Sequence, residues 1–303
     1  MDSKSSLSPV QQSRSWFRNA FAWNGTALPL CYQRIVLLVA FACFVQGIHT
    51  ELWWNTSEAS PIDSAFKLDP FGHVTLGSLI GFLLVVRINA SNARYWEGRT
   101  HWGTIVNASR NLTRSGSTYT SSGKELANLV AAYAMTLKAS LRGSRDLSEA
   151  SPFLSEELML AAEGFGNQPT AVAAAMSVWV REQAVRGVIN PEITRHLEVQ
   201  IAELVSAQGG CEKIQKTPLP FAYVSMIKLL ILVYLITLPM ITCSRFGWWS
   251  PVLVAVLSLG MFGMEETSVE IEDPFGTNPN CLNLDVLTIT IARDTGQLAR
   301  FSS

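Results

Sequence analysis

The chain has 303 residues, of which 48% are hydrophobic and only 16% charged, and its mean hydropathy is +0.22. A soluble domain carries about 25% charged residues, so part of this chain must meet lipid. The formal net charge of -1 leaves no basic excess for a nucleic-acid partner, and no long like-charge run forms a tail.

The N-terminal stretch MDSKSSLSPVQQSRSWFRNAFAWNGTALPL is polar and Ser-rich, and no apolar run begins until about Ile35. No cleavable signal is expected. Asp2 and the lack of an amphipathic basic pattern count against an organelle transit sequence. Four apolar stretches follow: Leu30 to Ile48, Val74 to Ile88, Ser225 to Thr242 and Trp248 to Met264. A bilayer core of about 30 Å needs about 20 mostly apolar residues, so these predict transmembrane helices at about 30–48, 74–90, 225–243 and 248–264. The second is short and ends on Arg87, which suits a helix lining water better than one facing lipid. Arg34 and Lys228 lie near span ends, where snorkelling to the interface is the simple reading.

Basic residues beside the spans set the orientation. Arg14 and Arg18 precede the first span; Glu51, Glu58, Asp63 and Asp69 follow it, with Lys67 the single basic residue; Arg87, Arg94, Arg99, Arg110 and Arg114 follow the second. The N-terminus is therefore expected in the cytosol, with Trp53, Trp54, Trp248 and Trp249 as an aromatic belt at the opposite face. A multi-pass protein of the cell membrane is expected, an organelle membrane being the other location.

Residues 91–220 carry amphipathic helical spacing. Leu126, Leu129, Val130, Tyr133, Leu137 and Leu141 form one stripe, and Ile193, Leu197, Ile201, Leu204 and Val205 another. A cytosolic helical domain is predicted, divided at Gly143, Gly164, Gly166, Pro169, Gly187 and Pro191 and closed by Gly209-Gly210. No proline interrupts 91–115, so the second span should continue as one long helix, although Gly98 and Gly103 each cost about 1 kcal/mol relative to alanine. The fold class is all-α: an integral membrane protein with four transmembrane helices and a cytosolic helical part.

No constellation carries catalysis. His49, His73, His101 and His196 are dispersed, and no metalloprotease helix, nucleophile elbow or phosphate loop occurs, so neither an enzyme nor a cofactor is expected. Cys31, Cys43, Cys211, Cys243 and Cys281 are scattered and read as free thiols, mostly buried. Gly77 and Gly81 have the spacing that lets helices approach in a membrane. Ser78, Phe82 and Val86 recur every four residues and share a helical stripe. That stripe is either ordinary bundle packing or a hydrophobic constriction ringed by several subunits; in the second case Arg87, next along the chain, places positive charge at the inner mouth. After the fourth span, Glu265, Glu266, Glu270, Glu272, Asp273 and Asp285 gather carboxylates. Such density suits calcium, with Glu270, Glu272 and Asp273 the candidate ligands, but the spacing is not that of an EF-hand. A solvated acidic face, or a partner for the cytosolic arginines, is the alternative.

Several segments carry a family resemblance. RINASNARYWEGRTHWG after the second span, WNGTALP before the first, KIQKTPLPFAYVSMIKLL leading into the third and EIEDPFGTNPNCLNLD after the fourth resemble bestrophins, and the bacterial, fungal and plant branch more than the animal one. The matches touch the whole chain in the expected order. The resemblance implies a single channel domain over 1–303 and a homopentamer in which the second spans surround one pore. It places an apolar neck at Ser78, Phe82 and Val86, and a second aperture near Glu192, in GVINPEI. Ser78 departs from the bulky apolar residues usual in family necks. Thr277, Asn278, Pro279 and Asn280 follow Gly276 where the animal branch has acidic residues that help bind calcium, so calcium gating of that type is not implied. The function expected is passive anion permeation, chiefly of chloride, with the lipid bilayer, further copies of the chain and permeant ions as partners. Glu192 argues instead for a cation-conducting pore, and a membrane scaffold or receptor without ion flux is the reading from another class.

Overall fold

The computed structural model describes Trp23, residues 25–56 and residues 70–301; the side chains of residues 52–56 lie outside that description. Among the described residues the elements are helices, without a strand: α1 Leu28–Thr56, α2 Pro70–Tyr119, α3 Gly123–Leu141, α4 Glu156–Gly164, α5 Gln168–Val185, α6 Pro191–Lys216, α7 Phe221–Phe246, α8 Ser250–Glu272 and α9 Leu284–Phe301, with 3-10 turns at Ser151–Phe153 and Gly247–Trp249. They form two compact units. The first takes the described residues up to Ala90 together with Pro220–Glu270, and the second takes Ser91–Leu219 together with the residues from Ile271 onward. Helices α2 and α8 each contribute to both.

In the first unit the core is made by Cys31, Leu38 and Ala42 of α1, Ile80 and Leu84 of α2, Ile227, Ile231, Leu235 and Leu238 of α7, and Val254 and Phe262 of α8. The outward faces are just as apolar: Leu37, Phe44, Val252 and Val256 are exposed. Among the described residues three runs are long and apolar enough to cross a membrane, Leu28–Glu51, Pro70–Tyr119 and Phe221–Glu272, and only 22%, 17% and 33% of their apolar windows are buried inside the protein. Lipid is the medium in which such surface is stable, because water would penalise each Å² of it by about 25 cal/mol. The third run contains both α7 and α8, parted at Gly247, whose φ of 53° lies where glycine sits without strain. Trp248 and Trp249 next to it are exposed. Arg14, Arg18, Glu58, Asp63, Lys67, Asp69 and the side chains of Trp53 and Trp54, on which the orientation reading draws, lie outside the described residues.

Gly77 serves close helix approach: a Cβ there would lie 2.9 Å from the Tyr234 hydroxyl oxygen on α7. Nothing lies within 4 Å of the corresponding point on Gly81.

The second unit has a conventional interior. Trp102, Ile105 and Leu112 of α2, Leu126, Tyr133 and Leu137 of α3, Val172, Met176 and Trp179 of α5, Leu197, Ile201 and Leu204 of α6, and Leu284 and Ile291 of α9 form one cluster. Helix starts are capped by side chains that accept from an otherwise orphaned N–H: Asn167 from Thr170 (3.2 Å) and Asn190 from Ile193 (2.9 Å), each followed by a proline in the first turn. Gly209-Gly210 does not close the domain as expected but lies inside α6. Its role is steric. A Cβ on Gly210 would fall 2.3 Å from the His101 ring, so glycine is kept for helix approach and not for a turn.

A charge cluster ties α3 to α9. Lys138, buried, donates to Asp285 Oδ1 (2.7 Å) and to Glu149, while Arg142 grips both oxygens of Asp285 (3.1 and 3.0 Å). The hydrogen bonds from Arg142 and then Lys138 hold the Asp285 carboxyl down to about 2. Burial pulls the Lys138 ammonium down, but its bonds to Asp285 and Glu149 outweigh this and raise it.

Candidate channel-lining helix and charge cluster

Helix α2 runs fifty residues without a break. In the first unit it turns Ile80, Leu84 and Arg87 inward and leaves Ser78, Phe82 and Val86 exposed along one stripe, with Phe82 65% and Val86 41% exposed. The Ser78 hydroxyl donates to the Val74 carbonyl (3.0 Å), so this residue brings no unsatisfied polar group to the stripe. In the second unit α2 exposes Asn92, Trp96, Thr100, Asn107 and Arg114. The exposed residues of α2 thus pass from apolar in one unit to mostly polar in the other.

Arg87 does not share the stripe. It lies nine residues after Ser78, about 2.5 turns at about 3.6 residues per turn, and so faces the other side of α2. Its side chain is fully buried and donates from Nη1 to Glu265 Oε1 at 2.8 Å. The expectation of an open positive charge at the inner mouth changes accordingly, because adjacency in sequence is not adjacency on a helix. Glu265 also has Lys228 Nζ at 3.5 Å and Arg34 Nη1 at 4.0 Å, and Arg34 reaches Glu266 at 3.0 Å. Arg34 and Lys228 are therefore members of a charge cluster and not isolated anchors. The acidic segment was open to reading as a partner for the cytosolic arginines, and Arg87 with Glu265 is such a pair; that Arg34 and Lys228 join it was not read from the sequence. The available signal was a carboxylate pair at the end of one apolar stretch and basic residues within a few positions of the ends of three others.

Glu192 is exposed in the first turn of α6 and belongs to the second unit, whereas Ser78, Phe82, Val86 and Arg87 belong to the first. In the acidic segment, Glu272 Oε1 accepts from the Leu219 N–H (2.9 Å) and Asp273 Oδ1 from the Phe275 N–H (3.1 Å). Arg94 donates to the carbonyls of Ile214 (2.7 Å), Thr217 and Glu272 (3.1 Å), and a Cβ on Gly98 would touch Pro274 and Phe275 at 3.0 and 3.1 Å. Three separated motifs, SNARYWEGR, KIQKTPLP and EIEDPFG, thus meet in one clasp. Among the described residues no group of three or more His, Cys, Asp or Glu side chains is placed to hold a metal ion. The Glu270, Glu272 and Asp273 set is accordingly no assembled ligand shell, two of its members being engaged with backbone N–H groups.

Comparison with known sequences decides the family. The profile described as Bacterial/Fungal Bestrophin protein matches residues 8–297. The chain belongs to the bestrophin family. A voltage-dependent anion channel-forming protein of Nostoc sp. is 31% identical over 95% of this chain and 93% of its own length, and the voltage-dependent anion channel-forming protein YneE of Escherichia coli K12 is 28% identical over 95% and 93%. A bacterial bestrophin homologue from Klebsiella pneumoniae, known by crystal structure, superposes with a TM-score of 0.81 over 89% of this chain and 98% of that one, at 23% identity. The all-α architecture is thus the bestrophin fold, and the chain is an integral membrane protein. Bestrophin membership points to a channel, not an enzyme.

Proposed function

We propose that this bestrophin is the pore-forming subunit of an anion channel, passing chiefly chloride through a pathway lined by α2 from each of five copies. The observation that carries the reading is the exposed stripe of Ser78, Phe82 and Val86 on a span-length helix whose opposite face is packed. Among the described residues of a single subunit that stripe stays exposed; five copies around an axis ring the pathway with Phe82 and Val86, apolar side chains that gate ions by controlling wetting. The names of its relatives support anions as the permeant species. Arg87 acts from behind, anchoring the neck helix through Glu265. The N-terminus faces the cytosol, the cell membrane is the location, and the two compact units work as one channel domain.

Purified protein in planar bilayers tests this. Under a potassium chloride gradient the reversal potential should follow chloride, and Phe82→Ala with Val86→Ala should raise the conductance. A reversal potential that follows potassium, or no current at all, rejects the anion reading; an unchanged conductance returns the stripe to ordinary packing. The second reading, a cation pore, is favoured by Glu192, exposed at the start of α6. A ring of carboxylates there repels anions, and Glu192→Gln should then move the selectivity.

A further inference from the structure

The first unit contains a cavity of about 520 Å³ between α1, α7 and α8, within the about 300–1,000 Å³ of ordinary ligand pockets. Its walls change character along their length. Arg34, Lys228 and Glu265 stand at one end, and Phe41 and Ile236 line it farther along α1 and α7. From Arg34 to Phe41 and from Lys228 to Ile236 is about 10–12 Å at about 1.5 Å per helical residue. The charged end is set about 10 Å in from the start of α1 and of α7 by the same rise.

Among the described residues the charges at that end do not balance. Three basic side chains, Arg34, Arg87 and Lys228, meet two carboxylates, Glu265 and Glu266. Glu265 is already engaged by Arg87 at 2.8 Å, which leaves Lys228, at 3.5 Å and half exposed, the least compensated cation. An excess positive charge beside apolar walls in a bilayer is costly unless an anion accompanies it. Basic pockets between membrane helices take the head groups of anionic lipids for this reason.

We propose that this cavity is a binding site for one anionic phospholipid per subunit, its phosphate at Lys228 and Arg34 and one acyl chain along Phe41, Ile231, Leu232 and Ile236. A phosphodiester supplies the single negative charge the cluster lacks. The apolar far end has no use for a free inorganic anion, whereas an acyl chain removes it from contact with bulk lipid and water alike. The bilayer is the source of the ligand.

Native mass spectrometry of the delipidated full-length protein, titrated with phosphatidylglycerol or with phosphatidylcholine of the same chain length, tests the site. Phosphatidylglycerol should bind preferentially, saturating at one per subunit. Lys228→Gln should weaken phosphatidylglycerol about fivefold, the factor equivalent to about 1 kcal/mol for one basic residue at an anionic membrane surface, and leave phosphatidylcholine unchanged. Leu232→Trp, which fills the cavity without touching a charge, should weaken both lipids. Equal retention of the two lipids by the wild type overturns the proposal, as does an unaltered affinity in Lys228→Gln. Displacement of phosphatidylglycerol by an equal concentration of inorganic phosphate would mean a free-anion site and overturns it too. Should Lys228→Gln fail to fold, the wild-type lipid preference and the Leu232→Trp titration decide. None of these measurements reads a current, so their failure is distinct from failure of the pore reading.

Discussion

Removing Arg87 should be among the most damaging single changes in the first unit, and removing Glu265 with it should be less damaging than the two single effects combined. The guanidinium is wholly buried and meets Glu265 at 2.8 Å. At that distance and an effective dielectric of about 20, the Coulomb attraction is about 6 kcal/mol, most of it offset by the desolvation of both charges. Breaking such a pair from one side leaves the other charge buried, at a cost of about 3–5 kcal/mol. Arg87→Met should therefore lower the thermal midpoint of the detergent-solubilised protein by about 10 °C, taking about 2–4 °C per kcal/mol for a chain of this size class. Among the described residues Arg87 Nε and Nη2 are buried and meet no hydrogen-bond acceptor, so Glu265 is the contact that carries the guanidinium. The double variant Arg87→Met with Glu265→Met should then recover about 2 kcal/mol or more of the summed loss. Midpoints of the four proteins, followed by size-exclusion chromatography after heating, close the cycle. Strictly additive losses would show that the 2.8 Å contact is not an energetic unit, and the account of Arg87 as the anchor of the neck helix would be refuted.

Further outcomes follow from the same structure. Gly116→Ala puts a Cβ 2.2 Å from Leu126 Cδ2, and this overpacking should cost about 1–3 kcal/mol in thermal stability; an unchanged midpoint would mean that α2 and α3 are not packed as described. Asp285 is held below its ordinary 3.8 at about 2, so it contributes stability that is present above about pH 4 and lost as pH falls through about 2; with its side chain half exposed, solvent screening limits the contribution to about 1 kcal/mol. An Asp285→Asn variant should accordingly lose the wild type's advantage in an acid-unfolding series and show a flatter profile below pH 4. Cys211 is fully buried and burial pushes its thiol up to about 12, so a water-soluble maleimide at pH 8 should leave it unmodified in the folded protein and label it after denaturation. Tyr133→Phe removes a buried hydroxyl that donates to the Leu204 carbonyl at 2.9 Å and lies 3.0 Å from Gln208 Oε1, and about 1 kcal/mol of stability should go with it.

The membrane character, the helical class and the span-length stretches were legible in the sequence because each is a sum over neighbouring residues. Composition, hydropathy windows and helical spacing need no knowledge of what folds against what. The same holds for the stripe of Ser78, Phe82 and Val86, since residues four apart on a helix share a face wherever that helix goes. The motifs of the family resemblance were also visible, but not what they do. SNARYWEGR and EIEDPFG are separated by more than a hundred residues, and only the fold shows Arg94 holding three carbonyls and Gly98 admitting Pro274 and Phe275. Gly209-Gly210 has the composition of a turn, yet both lie inside α6, where the His101 ring occupies the space a side chain at Gly210 would need.

Tertiary structure alone decided the charges. Arg87 and Glu265 lie 178 residues apart, and no local pattern says that a basic residue ending one apolar stretch will be buried against a carboxylate ending another. Hydrophobic burial is non-directional and accumulates along the chain, so it can be read in order. The energy of an ion pair depends on one distance and one local dielectric, and both come into existence only when the helices meet.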